Sequence, residues 1–171
     1  MKNGMKTLVP ELRTSHDEAD DRIMIHVNHA VKKDCYEFVL ICSRDSDVFV
    51  SLMYHFESEW KEKGLNELWI ENMGSYTPLH DVCANLPPET VEMLPAVHCL
   101  TGCDTTSKVG TKKKALALMK TGKHPVLKDF GRNKLDQQML EGAEKFLVKC
   151  LPKSSSVDSF DLLRHLPLSI L

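Results

Sequence analysis

The apolar residues of the first half of the chain follow two spacings, which predict alternating helices and strands. One set recurs every three or four residues behind an acidic stretch and predicts a helix over about residues 17–31: Ala19, Ile23, Val27 and Ala30. Residues 37–42 are apolar at almost every position. Such a run is typical of a short strand that a parallel sheet covers on both faces.

A second helix and a second strand repeat this order. Helical spacing returns at Val48, Leu52, Phe56 and Trp60. Ser46 or Asp47 can cap the start of this helix, and residues 68–70 follow as a short apolar strand. Because the helix joins two apolar strands, we expect a βαβ unit with parallel strands and a right-handed crossover.

The remainder of the chain is predicted to be largely helical. Residues 73–76 are predicted as a loop, and helices over residues 78–85 and 89–100 follow. A later helix carries a strong apolar stripe that we expect in the core, formed by Leu135, Met139, Leu140, Ala143, Phe146, Leu147 and Cys150.

These elements predict an α/β fold in one compact domain overall. Its first part is a short, mostly parallel sheet with flanking helices, and an all-helical C-terminal part follows. The predicted segments are an α/β core at residues 1–104, a helical region at residues 105–151, and a linker with a helical tail at residues 152–171.

Length and composition fit this interpretation. The chain has 171 residues, of which 42% are hydrophobic and 27% are charged, as in ordinary globular proteins. No apolar run approaches a membrane span, and the first residues lack the apolar segment of a secretory signal, so we expect an intracellular protein without membrane contact. The six cysteines are scattered, which favours reduced, mostly buried thiols. The less favoured alternative is zinc, bound at His98, Cys99 and Cys103 or at His26 and His29.

Charge is distributed unevenly along the chain. Residues 1–101 hold 17 acidic and 9 basic residues, whereas residues 102–171 hold 7 acidic and 13 basic ones. The basic excess is concentrated between Lys108 and Lys134, where Asp129 is the only acid. A block of this kind either binds a polyanion or forms a solvated helix surface, and the charge pattern alone leaves both open.

Three short acidic motifs supply the candidate chemistry. Glu18 and Asp20 stand at the start of the first predicted helix, Asp45 and Asp47 follow the first predicted strand, and Asp104 ends a Gly-Cys-Asp sequence. Carboxylates are the oxygen ligands that Mg²⁺ and Mn²⁺ prefer, and Mg²⁺ often takes only one or two of them beside water and phosphate. In open α/β sheets, ligand sites lie beyond the carboxyl ends of the strands, where Asp45 and Asp47 are expected.

Each motif also has a purely structural interpretation. Acidic residues are favourable near a helix N-terminus, and aspartates are common as helix caps and in turns. Glu18 and Asp20 are two residues apart and can share a site only from the first helical turn or the loop before it. The occurrence of all three motifs in one chain nevertheless favours a site for Mg²⁺ or Mn²⁺.

The order and setting of these motifs resemble a known family. The segments that carry the likeness are residues 16–21 (HDEADD), 43–48 (SRDSDV) and 98–106 (HCLTGCDTT). An acidic helix start, Asp-x-Asp after an apolar strand, and Gly-x-Asp before a glycine and a lysine-rich helix resemble the flap-endonuclease (XPG-type) branch of the PIN-like nuclease superfamily. The likeness is greatest to its asteroid-like and transposon-associated members and covers about residues 12–125.

The resemblance implies a two-metal nuclease site and a nucleic-acid partner. It implies two Mg²⁺ or Mn²⁺ ions held by catalytic ligands, Glu18 and Asp20 at one ion and Asp45, Asp47 and Asp104 at or near the other. It also implies a helix-two-turn-helix hairpin at residues 105–120, which would grip a nucleic-acid backbone through Lys108, Gly110, Thr111, Lys112, Lys113 and Lys114. DNA rather than RNA as the partner and a nuclear location are further implications.

Two departures from the family pattern leave alternatives open. Family members carry a further aspartate on an N-terminal strand, which this sequence lacks, and their hairpin has more glycines than Gly110 alone. The chain is therefore expected to be either a flap-endonuclease-like hydrolase of phosphodiesters with weakened activity, or an inactive nucleic-acid or protein binding module of the same fold. A haloacid-dehalogenase-like phosphatase with Asp45 as its nucleophile is the third alternative, which leaves the other two acidic motifs unexplained.

Overall fold

A computed structural model describes residues 9–15, 18–104, 106–132, 134–151 and 157–164. The chain forms two compact units, of which the first ends at His80 and the second begins at Asp81. Helices and a small sheet make up the fold, so the α/β class predicted from the sequence is confirmed. The PIN-like fold and the predicted segment boundaries stay predictions.

The sheet of the first unit is mixed rather than mostly parallel. β1 (Phe38–Cys42) pairs in parallel with β2 (Glu67–Asn72), as the predicted βαβ unit requires. β3 (Ser75–Pro78) pairs antiparallel with β2, so the strand order is β1-β2-β3 and β1 lies at an edge.

β3 lies partly where the sequence predicts a loop. Met73 and Gly74 connect it to β2, and both have positive φ angles, 52° and 83°, which form a tight two-residue hairpin turn. The turn was not predicted because methionine is an unusual residue at positive φ, where glycine, asparagine and aspartate are typical.

Two helices accompany the sheet in the first unit. α1 (Ala19–Lys32) precedes β1, and α2 (Ser46–His55) joins β1 to β2 and continues as one turn of π-helix, Phe56–Trp60. Both were predicted from apolar spacing. Their apolar residues share a core with β2: Val27, Val31, Val48, Leu52, Phe56, Trp60, Leu68 and Ile70. Within it, Trp60 Nε1–H donates to Asn28 Oδ1 of α1 (3.3 Å).

β1 is covered on one face only. Burial alternates along the strand, with Phe38 54% and Leu40 41% exposed and Val39 and Ile41 partly buried. The prediction that both faces of β1 are covered is therefore wrong. An apolar run does not distinguish a central strand from one at the edge of a small sheet.

The second unit is helical in its described residues. α3 (Leu79–Ala84) begins within the first unit, and the following elements are α4 (Pro88–Thr101), α5 (Lys112–Met119), a 3₁₀ turn (Pro125–Lys128), α6 (Gln137–Cys150) and α7 (Phe160–Arg164). No helix in the described part of the chain is long and apolar enough to cross a membrane.

The core of the second unit lies between α4, α5, α6 and the 3₁₀ turn. Its buried residues are Met93, Ala96, Val97, Ala115, Met119, Leu127, Ala143, Phe146 and Cys150. The predicted stripe of α6 is confirmed at Met139, Ala143, Phe146 and Cys150. It is wrong at Leu135 and Leu140, which are exposed.

The six cysteines are reduced thiols outside disulfides, as expected, but fewer are buried than predicted. Cys83 and Cys150 are buried, whereas Cys35, Cys42 and Cys99 are exposed. The expectation of mostly buried thiols is therefore wrong. Cys35 lies between α1 and β1, and Cys42 lies on the exposed face of β1, so the core covers neither of them.

Candidate metal site and nucleic-acid interface

The end of β1 positions Asp45. Ser43 N–H donates to Glu71 O (3.1 Å), which extends the pairing of β1 with β2 by one residue. Ser43 Oγ in turn accepts a hydrogen bond from Asp45 N–H (3.1 Å). Ser43 was not singled out from the sequence, although a serine two residues before an aspartate is a usable signal, since hydroxyls commonly bind the backbone two residues on.

Asp45 caps α2. Its Oδ1 accepts a hydrogen bond from Asp47 N–H (2.8 Å), and its backbone is extended, with φ −81° and ψ 132°. The predicted cap at Ser46 or Asp47 is therefore wrong, because the helix begins at Ser46, one or two residues earlier than a cap at those positions requires. Both aspartates are partly buried at the start of α2.

Glu18 and Asp20 lie at the start of α1. Glu18 occupies the N-cap position with an extended backbone, but its side chain makes no capping hydrogen bond. Asp20 lies in the first helical turn and is partly buried, whereas Glu18 is exposed. The two residues thus have the placement that a shared site requires.

The acidic residues at the starts of α1 and α2 interact electrostatically. Partial burial and the negative charges of Asp45, Asp47, Glu18 and Asp21, in that order, raise the pKa of Asp20 above its ordinary value of 3.8. Such repulsion requires short distances between the charges. Two motifs that are 25 residues apart in sequence therefore come together in the first unit.

We call Glu18, Asp20, Asp45 and Asp47 the acidic cluster, and its donors fit a hard divalent cation. Carboxylate oxygens suit Mg²⁺ and Mn²⁺, and a cation would relieve the repulsion felt by Asp20. Among the described residues, no three His, Cys, Asp or Glu side chains are arranged to hold a metal ion by themselves. A cation at the acidic cluster would therefore complete its shell with water or phosphate oxygens, as Mg²⁺ commonly does.

Asp104 belongs to the second unit, where it lies exposed in the loop after α4. The loop opens at Gly102, whose φ is 114° and where a Cβ would lie 2.7 Å from Lys108 Cα. It closes where Val109 N–H donates to Thr101 O (3.0 Å). The loop therefore requires a glycine at position 102 of the Gly-Cys-Asp motif. The role of Asp104 as a metal ligand stays a prediction.

Three of the predicted nucleic-acid contacts are exposed lysines near α5: Lys108, Lys112 and Lys113. Thr111 is the N-cap of this helix, and its Oγ1 accepts a hydrogen bond from the third helical residue (3.3 Å). A helix N-terminus flanked by lysines attracts phosphate groups. Residue 105, where the predicted hairpin begins, lies outside the described residues.

The other two predicted contacts, Gly110 and Lys114, are engaged with the C-terminal end of α6. Gly110 has a φ of 68°, and a Cβ at this position would lie 2.4 Å from Cys150 O. Lys114 Nζ donates to Leu151 O. Burial raises the pKa of the Cys150 thiol to about 11, although Lys114 acts to lower it. These packing roles were not predicted, because they depend on a helix that follows far along the chain.

Comparisons with protein-family models, with curated proteins and with solved structures gave no match. The likeness to flap endonucleases therefore rests on the sequence motifs alone.

Proposed function

We propose that this protein is a metal-dependent phosphodiester hydrolase of nucleic acids, with the acidic cluster as its metal site. The observation that carries the proposal is that the acidic starts of α1 and α2 act on one another: burial raises the pKa of Asp20, and the charges of Asp45 and Asp47 raise it further. Repelling carboxylates cost folding free energy, and a bound cation would offset this cost.

Asp20, Asp45 and Asp47 are the candidate ligands, of which one or two would bind the cation directly while water or phosphate completes its shell; Glu18 lies on the exposed side of the cluster. The cap that Asp45 forms on α2 fixes the orientation of its carboxylate. α1 and α2 both begin at the cluster, and the positive ends of the two helix dipoles partly offset the repulsion and favour a phosphate group. When bound, a divalent cation supplies charge neutralisation and polarisation of the phosphate.

Nucleic acid is the proposed substrate because the second unit carries exposed lysines. Lys108, Lys112 and Lys113 are available for phosphate contacts, whereas Lys114 is engaged with α6. DNA as the preferred substrate and a nuclear location belong to the same proposal and follow from the resemblance to flap endonucleases.

The proposal is tested by cleavage of fluorescent flap and single-stranded DNA with Mg²⁺ or Mn²⁺. The double variant Asp45→Asn/Asp47→Asn removes two charges while asparagine keeps the cap. We expect metal-dependent cleavage by the unmodified protein and a loss of about 100-fold or more in the double variant. Glu62 is exposed in the turn after α2, and the Glu62→Gln variant is the matched control, which should cleave DNA as the unmodified protein does.

A nucleic-acid binding module without hydrolysis is the second candidate. It is favoured by the finding that, where the structure describes the chain, no three potential ligand side chains are arranged to hold a metal ion by themselves. This candidate predicts salt-sensitive DNA binding without cleavage. Replacing Lys112 or Lys113 by alanine should lower the slope of log Kd against log salt by about 1, whereas Lys63→Ala should not. A protein that neither binds nor cleaves DNA would exclude both candidates.

A further inference from the structure

A small cavity in the second unit has a lining that suits an anion. It measures about 170 Å³ and lies between the start of α4, the end of α5 and the 3₁₀ turn. Met93 and Met119 of its lining belong to the core of the unit, and its charged side chains are Glu89, Lys120 and Lys128. Drug-sized ligands occupy cavities of roughly 300–1,000 Å³, so this cavity suits a small ion or a single group of a larger ligand.

Thr90, in the first turn of α4, directs an unpaired hydroxyl into this cavity. The residue is 2% exposed, and its side chain makes no hydrogen bond within the described part of the chain. In that part, every side-chain nitrogen or oxygen that is fully enclosed does have a partner. The hydroxyl of Thr90 is therefore not fully enclosed, and the surface that it reaches is the cavity, which Thr90 lines. A buried hydroxyl costs free energy unless water or a ligand binds it.

Two lysines at the cavity have no ion-pair partner among the described residues. Lys120 is exposed at the end of α5, and Lys128 is partly buried at the end of the 3₁₀ turn. The ion pairs found in the described part of the chain use other lysines, namely Lys32, Lys61 and Lys149. Both cavity lysines belong to the basic segment of residues 108–134, and their charges are available to an anion.

The start of α4 adds a backbone donor. Pro88 opens the helix and has no N–H, and the N–H of Thr90 already donates to Pro87 O (2.8 Å). The N–H of Glu89 has no acceptor among the described residues. It lies at the positive end of the α4 dipole, where anions are favoured.

We propose that this cavity binds a phosphate group, held by the ammonium groups of Lys120 and Lys128, the hydroxyl of Thr90 and the N–H of Glu89. Lysine binds phosphate as a point charge, and hydrogen bonds to charged groups are about twice as strong as those between neutral groups. A phosphate monoester carries a charge of about −1.5 to −2 at pH 7. Two lysine charges match this group better than they match a carboxylate, which carries one charge.

The carboxylate of Glu89 is the acidic group among the described lining residues, and it opposes the phosphate. Its side chain is exposed and forms no ion pair with either lysine in the described structure. Removal of this charge should therefore strengthen phosphate binding. A cavity without an anion site would not respond in this way.

Two sources can supply the phosphate, a free inorganic ion and the terminal phosphate of an oligonucleotide. The cavity is small, so we expect the rest of an oligonucleotide to stay outside it. The cavity shares no residue with the acidic cluster or with the lysines proposed to contact DNA. The inference therefore stands apart from the proposed function.

The test is isothermal titration calorimetry of the whole chain with inorganic phosphate, and with a short oligonucleotide that carries or lacks a 5′-phosphate. Thr90→Val removes the hydroxyl and keeps the shape of the side chain, and Lys128→Gln removes one charge. Each should weaken phosphate binding by about tenfold. Thr90→Ser, which keeps the hydroxyl, should bind nearly as the unmodified protein does, and Glu89→Gln should bind more tightly. Lys134→Gln is the matched control, at an exposed residue of the basic segment that does not line the cavity, and should leave binding unchanged.

The two probes also distinguish the source of the phosphate. Tighter binding of the oligonucleotide with the 5′-phosphate than of the one without, lost in Thr90→Val, identifies a nucleic-acid end. Binding of inorganic phosphate alone, with the same loss, identifies the free ion. The inference is overturned if neither probe binds through its phosphate, if Thr90→Val and Lys128→Gln bind phosphate as the unmodified protein does, or if Glu89→Gln weakens binding.

Discussion

Asp45 combines a structural and a candidate chemical role in one carboxylate. One oxygen accepts the hydrogen bond that starts α2, while the negative charge acts on Asp20 of α1. Asparagine can perform the first role and not the second, because it caps helices about as well as aspartate but carries no charge. Substitution by asparagine therefore separates the charge of the acidic cluster from its folding.

At Asp20, the charge itself should cost stability at neutral pH. The pKa of Asp20 in the folded state lies above its ordinary value of 3.8. At pH values between these two pKa values, folding is therefore accompanied by the uptake of a proton at Asp20. Stability therefore falls as the pH rises through this window. We predict that Asp20→Asn is more stable at pH 7 than Asp21→Asn, by roughly 0.5 kcal/mol, in urea unfolding. Both variants lose the same helix-dipole interaction, so the comparison isolates the combined cost of burying the charge of Asp20 and of its repulsion by the neighbouring carboxylates.

The pH dependence provides the control for this prediction. Below pH 3.8 the carboxyl group is protonated in both states, so the advantage of Asp20→Asn over Asp21→Asn should disappear. An advantage that persists at this pH, or one that is absent at pH 7, would contradict the assignment of Asp20 to a repelling cluster.

Among the elements, the junction of α5 with α6 depends most on a single small residue. Gly110 precedes the cap of α5 and fits against the carbonyl of Cys150, at the last turn of α6. Lys114 of α5 donates to the next carbonyl, that of Leu151. A lysine at the C-terminal end of a helix is also favourable for the helix dipole.

We predict that Gly110→Ala destabilises the protein by about 3 kcal/mol, because the new Cβ adds a backbone clash to the strain of a positive φ. Gly122→Ala is the matched control. Its φ is 67°, against 68° at Gly110, and nothing lies within 4 Å of the added Cβ. Its cost should be about 1 kcal/mol. If the two variants lost equal amounts of stability in thermal or urea unfolding, the close packing of Gly110 against α6 would contribute nothing to stability.

The elements that could be predicted from the sequence are those whose signal is local. α1 and α2 follow from apolar spacing, and β1 and β2 follow from short apolar runs. β3 could not be predicted, because its turn uses Met73 at a positive φ. The uncovered face of β1 was also missed, since burial depends on what packs against a strand and not on the strand itself.

At the scale of the whole molecule, the acidic and basic residues separate along the chain. The acidic cluster lies in the first unit, and the lysine-rich segment of residues 108–134 lies in the second. The meeting of Asp20 with Asp45 could be anticipated, because helix starts and strand ends commonly share one edge of an α/β sheet. The position of Asp104 could not be anticipated, because Asp104 lies in a loop that opens at Gly102 and not in a helix or strand with a periodic apolar pattern.

The most direct test of the central claim, a divalent cation at the acidic cluster, is the melting temperature in Mn²⁺. A cation at about ten times its Kd stabilises a fold by roughly 1.4 kcal/mol, or about 3–6 °C in Tm for a chain of this size. We predict such a rise for the unmodified protein in millimolar Mn²⁺ and none for Asp20→Asn/Asp45→Asn. An unchanged Tm, or the same rise in the double variant, would contradict the claim.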